Sequence, residues 1–272
     1  TTFHGTYNFS NMIKKFYNSI MVRSDLIIAG SNFIFSHINK NYSKYLSLKK
    51  KFLVIFRGIN VDYFDPTTTT ETQEKKLLVD WQVDKSKKII LMPGRLTPWK
   101  GQEMFIEALS LVNKELGYES FYAVILGNDQ GRSVYTKKLK RLAEQHRLTS
   151  QLRFIDHCRN MPVAYKISDL IVSASIEPEA FGRVVVEAQS MKKPVLASNI
   201  GGSNETLENN KTGFLFEAGN STSLSNKILK VLNLDESTLK SMGIEGRKNI
   251  IKKFNVEKMC FSTYAEYKKL LN

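Results

Sequence analysis

Glu179 and Glu187 stand eight positions apart in residues 173–198, with Phe181-Gly182 between them. The apolar runs on either side predict a buried strand ending near Ser173, a loop carrying Glu179, a helix opening after Gly182, and a second strand over 195–198. Glu187 then lies a turn or more inside the helix. A helix N-terminus offers unbonded N–H groups and a partial positive charge, a seat for an anion such as a diphosphate. Carboxylates beside it are poor phosphate ligands but good acceptors for sugar and ribose hydroxyls. A ligand with hydroxyls at both ends and phosphate between them has the shape of a nucleotide-sugar. Taken alone, the spacing also fits a solvated helix face.

A second cluster is Gly94-Arg95-Leu96-Thr97-Pro98-Trp99-Lys100-Gly101. It follows an apolar strand over 88–93 and opens a helix with Phe105, Ile106, Leu109 and Val112 on one side. The two glycines permit a tight backbone, while Arg95 and Lys100 can grip a diphosphate by a fork and a point charge. His4 closes a short strand at the start of the chain, where a side chain reaches the ligand crevice of an open α/β sheet. Gly201-Gly202-Ser203-Asn204-Glu205 follows the strand over 195–198, and its glycines would let backbone N–H groups approach a ligand.

These residues need strands to hold them, and the chain supplies strands and helices in alternation. A helix over 10–21, with Met12, Ile13, Phe16, Tyr17 and Ile20 on one face, reads first as a core-packing element. Flanked by Lys14 and Lys15, it reads alternatively as a basic and aromatic surface for anionic lipid. Strands follow over 25–29 and 52–56, separated by a helix from Ser31, its N-cap, to Asn39. Residues 67–76 read as a linker or loop. Further strands over 121–126, 152–155, 169–173 and 214–216 alternate with helices over 134–146 and 161–167. Gly127 to Gly131 forms another turn at a carboxyl edge. Helices over 222–233, 239–254 and 256–271 close the chain, the last with Met259, Tyr264, Tyr267 and Leu271 available for docking. The alternation predicts α/β architecture with a parallel sheet wound on both faces.

The segment Glu179-x7-Glu187 resembles the E-x7-E motif of the retaining GT4 glycosyltransferases, "glycosyl transferases group 1". Thr1-Thr-Phe-His4-Gly5, the turn 58–66, Gly94-Arg95-Leu96 with Lys100-Gly101, and Gly201-Gly202-x-x-Glu205 resemble further motifs of that family, in its order. Arg57 stands where the family more often has Asn. The resemblance implies a GT-B fold of two Rossmann-like domains with parallel sheets, the N-terminal one incomplete. The domains would be 1–66 on the acceptor side, 67–255 for the nucleotide-sugar, and a helix at 256–272 crossing back. It implies metal-independent, retaining transfer of a hexose-type sugar from a nucleotide-sugar to a cell-envelope glycan or glycolipid, with lipopolysaccharide as the expected type. The implied catalytic residues are His4, Arg95, Lys100 and Glu179. The implied donor-binding residues are Gly94, Arg95, Lys100, Glu179, Ala180, Phe181, Gly182, Glu187 and Gly202. Cofactors are expected to be none, the nucleoside diphosphate-sugar being the donor substrate.

Composition narrows the field. The charged and apolar fractions are those of an ordinary globular protein, and no apolar run approaches the ~20 residues of a membrane span. Cys158 and Cys260 are far apart, the four histidines are scattered, and no Asp-x-Asp pair stands out, so no metal site is expected. The net charge of +14 is concentrated early, with nine Lys or Arg against the single acid Asp25 in residues 1–60. Such a field draws anions, including an anionic membrane surface, and suits a cytoplasmic protein peripheral at the inner face of the membrane. Lineage-wide lysine enrichment is the plainer explanation. No nucleic-acid-binding motif accompanies the charge. The chain starts at Thr1, so it is expected to begin inside a longer or split protein. A nucleotide-binding remnant without transferase activity is the alternative to an enzyme.

Overall fold

Strands that are apolar on both faces belong in parallel sheets covered on both sides. The computed structural model, which describes residues 1–7, 12–46, 51–117 and 120–271, contains two such sheets. The first joins β1 (Thr2–Phe3), β2 (Leu26–Ala29) and β3 (Lys51–Val54) in that order, all parallel. The crossovers carry α1 (Met12–Asn18) and α2 (Asn32–Tyr42). Ser31 caps α2 as predicted, its Oγ accepting the Ile34 N–H at 3.2 Å.

The second sheet has the order β6-β5-β4-β7-β8-β9, again parallel. Its strands are β4 (Lys88–Pro93), β5 (Phe121–Leu126), β6 (Leu152–Ile155), β7 (Leu170–Ser173), β8 (Val195–Ser198) and β9 (Phe214–Phe216). The helices among them are α3 (Glu71–Asp80), α4 (Gln102–Leu116), α5 (Ser133–Gln145), α6 (Met161–Ile167), α7 (Arg183–Ser190) and the short α8 (Ser203–Thr206). The chain ends with α9 (Ser221–Leu232), α10 (Glu236–Lys253) and α11 (Val256–Leu271). The two-residue period of β4 sorts its side chains between two cores. Ile90 and Met92 pack with α4, α5 and α9, whereas Ile89 and Leu91 pack with α6, α7 and Phe254.

Strand order reverses between β4 and β7, so the loops leaving these two strands flank a switch-point crevice. Residues 94–101 and 174–182 are those loops. Two passages of chain link the sheets and lie side by side. The Ile59 N–H donates to the Phe254 carbonyl, and the Val256 N–H donates to the Ile59 carbonyl, both at 2.9 Å. A Cβ at Gly58 would lie 2.5 Å from the Asn255 carbonyl carbon, so only glycine lets the passages meet. α11 then packs Met259 against Leu26 and Ile28 of β2 and Ile55 just past β3, and Lys51 pairs with Glu266. Tyr264, Tyr267 and Leu271 stay exposed.

Four expectations change. Residues 67–76 are not simply a linker, because α3 starts at Glu71 behind a reciprocal cap: Gln73 N–H to Thr70 Oγ1 and Thr70 N–H to Gln73 Oε1. The core-packing reading of the first helix fails, since none of the residues of α1 is buried and Met12, Ile13, Phe16 and Tyr17 are each more than half exposed. β3 starts and ends earlier than 52–56, and α2 runs on to Tyr42. Ser10, Lys49 and Lys50 lie outside the described residues. Among the described residues, no helix is long and apolar enough to cross a membrane.

Candidate active site

The two switch-point loops meet through Lys100 and Glu179. Lys100 ends a 3₁₀ turn (Pro98–Lys100), and its Nζ donates to Glu179 Oε1 at 2.7 Å. The side chains are 13% and 14% exposed, so this ion pair is largely withdrawn from water. Ser175 Oγ donates to the same carboxylate oxygen, and the ammonium lies 4.5 Å from the Trp99 ring centroid. Such a cation and acceptor can face a phosphate and a sugar hydroxyl together once a ligand divides them.

Glu187 is 6% exposed, which rules out the solvated-helix reading. Its Oε2 accepts from the Tyr165 hydroxyl at 2.8 Å. Its Oε1 accepts from Arg183 Nε at 3.1 Å and Nη2 at 2.7 Å. Two hollows flank the carboxylate. One, of about 400 Å³, is lined by Gly94, Arg95, Gly127, Asn128, Tyr165 and others along the carboxyl ends of β4 and β5. The other, of about 470 Å³, lies toward the first sheet between Arg57, Tyr63, Phe181 and Arg183. Gly94, Arg95, Phe181 and Glu187 thus line these hollows. Lys100, Glu179, Ala180, Gly182, Gly202 and His4 line neither. Arg95 is exposed, its carbonyl accepting from Gln102 Nε2.

The doubled glycine does something other than expected. The Gly202 N–H donates to the Glu179 carbonyl at 2.7 Å instead of facing an open ligand position. A Cβ at Gly202 would come within 2.6 Å of the Ala180 carbonyl oxygen, and one at Gly201 within 2.6 Å of that of Glu179. The glycines therefore let two loops stack, which fixes the backbone of 179–181. Gly182 caps α7 with φ +81, the left-handed conformation that ends the loop and starts the helix.

The first sheet reaches this loop directly. Ser31 Oγ donates to the Ala180 carbonyl at 2.6 Å. Glu205 accepts from the Asn32 N–H (2.7 Å), Asn32 Nδ2 (2.8 Å) and the Phe33 N–H (2.6 Å), closing the N-terminus of α2 with a carboxylate from the other sheet. His4 is exposed at the end of β1. Burial first, and the charge of Arg57 second, hold its pKa below the ordinary value. Sequence reasoning missed Tyr165, Ser175 and Arg183. Arg183 had a local signal, one helical turn before Glu187. The other two had none.

Among the described residues, no group of three or more His, Cys, Asp or Glu side chains converges as a metal site. Cys158 and Cys260 are free thiols, and burial pushes the Cys158 thiol up. A separate hollow at the amino edge of the second sheet, by Lys88, Asp169 and Lys193, contains none of the predicted residues.

Known proteins share this arrangement of loops on sheets. A glycosyltransferase from Rickettsia africae superposes on 100% of this chain and 70% of its own, with 39% identity and a TM-score of 0.90. HepE of Anabaena, crystallised with UDP and glucose, matches 98% of this chain and 70% of its own at 23% identity and a TM-score of 0.85, a likeness of fold. The trehalose synthase of Pyrococcus horikoshii is 29% identical over 192 residues, 69% of this chain and 45% of that protein. The chain spans about half the length of the curated relatives it matches. The model of the family described as glycosyl transferases group 1 matches residues 73–249, which include both switch-point loops, α7 and the doubled glycine. With its two parallel sheets of GT-B type, this chain belongs to the glycosyl transferases group 1 family.

Proposed function

We propose that the chain is the donor-binding part of a retaining glycosyltransferase that moves a sugar from a nucleoside diphosphate to a cell-envelope glycan or glycolipid of lipopolysaccharide type. The observation that carries this reading is the Lys100–Glu179 pair across the two switch-point loops. A cation suited to phosphate there meets a carboxylate suited to hydroxyls, which supports the reading, and the ligand would enter by exchanging their mutual bond for two of its own. HepE, a fold neighbour, was crystallised with UDP-glucose, which supports a nucleotide-sugar here.

In this mechanism, Arg95 and Lys100 neutralise charge growing on the leaving diphosphate, the task a metal performs in other enzymes. Glu179 accepts from donor-sugar hydroxyls, Glu187 accepts from ribose, and the backbone of Ala180, Phe181 and Gly182, with the turn at Gly94 and the support of Gly202, orients sugar and phosphate. His4 contacts the sugar from the first sheet. The bond from the anomeric carbon to phosphate oxygen breaks and the bond to acceptor oxygen forms on the same face, the acceptor proton passing to the departing phosphate. No cofactor takes part. On this reading, residues 1–66 serve the acceptor, 67–255 the donor, and 256–272 ties the two together. The exposed apolar face of α1 and the basic residues of 1–60 would seat the protein on an anionic inner membrane face.

Turnover of a panel of UDP- and GDP-sugars by the full-length protein, with and without EDTA, tests the reading. Release of nucleoside diphosphate with retained anomeric configuration, unaffected by EDTA, is expected. Nucleotide binding without turnover would favour a remnant, and loss of activity in EDTA restored by Mn²⁺ would refute the charge argument.

A further inference from the structure

The two oxygens of Glu187 have partners of different kinds. Oε2 is held by the hydroxyl of Tyr165, a side chain with no exposed surface, packed edge-on to Phe64 with ring centroids 6.1 Å apart. Oε1 is held by Arg183, whose side chain is 71% exposed. Both guanidinium contacts fall on the same oxygen instead of spanning the carboxylate as a fork. A buried hydroxyl inside a packed ring cluster has nowhere else to go. An exposed guanidinium has water around it, and pairs of this kind exchange readily.

We propose that Tyr165 is the positioning residue of the ribose subsite: its hydroxyl locks one oxygen of Glu187 so that the other, released by Arg183, is aimed at the ribose diol. This rests on the reading of the site as one for a nucleoside diphosphate. Arg183 acts as a displaceable cover that keeps a nearly buried carboxylate paired while the site is empty. The diol hydroxyls take its place on Oε1, reached from the hollow along β4 and β5 that Tyr165 and Glu187 both line. Burial and the Glu187 charge push the Tyr165 phenol well up, so it remains a donor throughout the working pH range. Without the hydroxyl, Oε2 would be a buried acceptor lacking a partner, and the carboxylate would turn toward Arg183 to recover one.

The test is the affinity of the full chain for UDP and GDP, each against its 2′,3′-dideoxy analogue, by calorimetry. The unaltered protein should prefer the ribonucleotide by about tenfold or more, the range for a hydrogen bond to a charged group. Tyr165→Phe should reduce that preference to roughly threefold or less while changing affinity for the dideoxy form by less than about twofold, because the ring and its packing remain. Arg183→Gln should leave the preference intact. Equal loss for both nucleotides in Tyr165→Phe would make the residue merely structural and overturn the proposal. So would loss of the preference in Arg183→Gln, which settles the matter even if Tyr165→Phe fails to fold. Nucleotide binding by the unaltered chain with no ribose preference would overturn the Tyr165 role and leave the nucleotide site standing. No binding of either nucleotide would remove both.

Discussion

His4 stands at the end of β1, and its protonation decides what it can offer a sugar. Desolvation, and after it the Arg57 charge, hold its pKa below 6.5, so at pH 7 it is a neutral donor or acceptor. Between its folded pKa and 6.5, the unfolded chain binds more protons. Stability from this residue therefore falls as pH drops through that window. An NMR titration should place the His4 midpoint under 6.5, and Arg57→Ala should raise it without restoring it, since desolvation is the larger cause. A midpoint at or above 6.5 in the unaltered chain would contradict this. Arg95 and Lys100 differ in a way the motif does not reveal. Each should lose about ten- to a hundredfold in nucleoside diphosphate affinity on replacement by Ala. Only Lys100→Ala should also destabilise the fold, by roughly 1–3 kcal/mol, because it leaves the largely buried Glu179 without its cation. Exposed Arg95 should change stability by no more than about 0.5 kcal/mol. Thermal melts beside calorimetric titrations separate the two, and equal melting shifts would speak against the pairing. Glu179 was legible as a candidate from its spacing. Lys100 was legible too, but their pairing was not, because the two lie 79 positions apart and only the β4–β7 adjacency brings them together.

At the scale of elements, legibility followed apolar content. β4, β5, β7 and β8 are runs of buried residues that could hardly be anything else, and their bounds in the sequence nearly match those observed. α3 is the counterexample. It buries no residue fully and has a polar surface, so periodicity is faint and its start depends on Thr70 and Gln73 bonding each other. Thr70→Ala should therefore cost about 1 kcal/mol in urea denaturation, and no measurable change would return 67–76 to a plain linker. α1 shows the opposite limit. Periodicity reveals that a helix has an apolar face but not what covers it, and here Met12, Ile13, Phe16 and Tyr17 stay more than half exposed. α2 is fastened at its start by Glu205 from the other sheet. Charge-assisted bonds to its first N–H groups stabilise that end. Glu205→Ala should speed hydrogen exchange at Asn32 and Phe33 by about tenfold or more, with Glu205→Gln in between. Unchanged protection in Glu205→Ala would mean these bonds do not form in solution.

For the whole molecule, charge distribution bears on location. The early segment carries nine basic residues against one acid, next to the exposed Phe16 and Tyr17. Each basic residue near an anionic leaflet contributes about 1 kcal/mol, screened over a Debye length of roughly 8 Å. Co-sedimentation with vesicles should rise with anionic lipid content and fall in about 0.5 M salt. Equally weak binding to neutral and anionic vesicles would reduce the charge to composition and favour a soluble acceptor. Parallel α/β architecture was legible because strand–helix alternation leaves few topologies, and its division into two sheets came with the family resemblance. The way the sheets are joined was not, since it depends on residues 58–59 meeting 254–256. That junction has a kinematic consequence. Two separate tethers would let the halves twist and slide in several directions. Two passages pinned to each other by the pair of hydrogen bonds at Ile59 act as one hinge, which bends more easily about one line than in other directions. Opening would then follow a single arc, and Glu205 would leave and rejoin α2 in the same register each cycle. One distance measured across the cleft would report the entire motion.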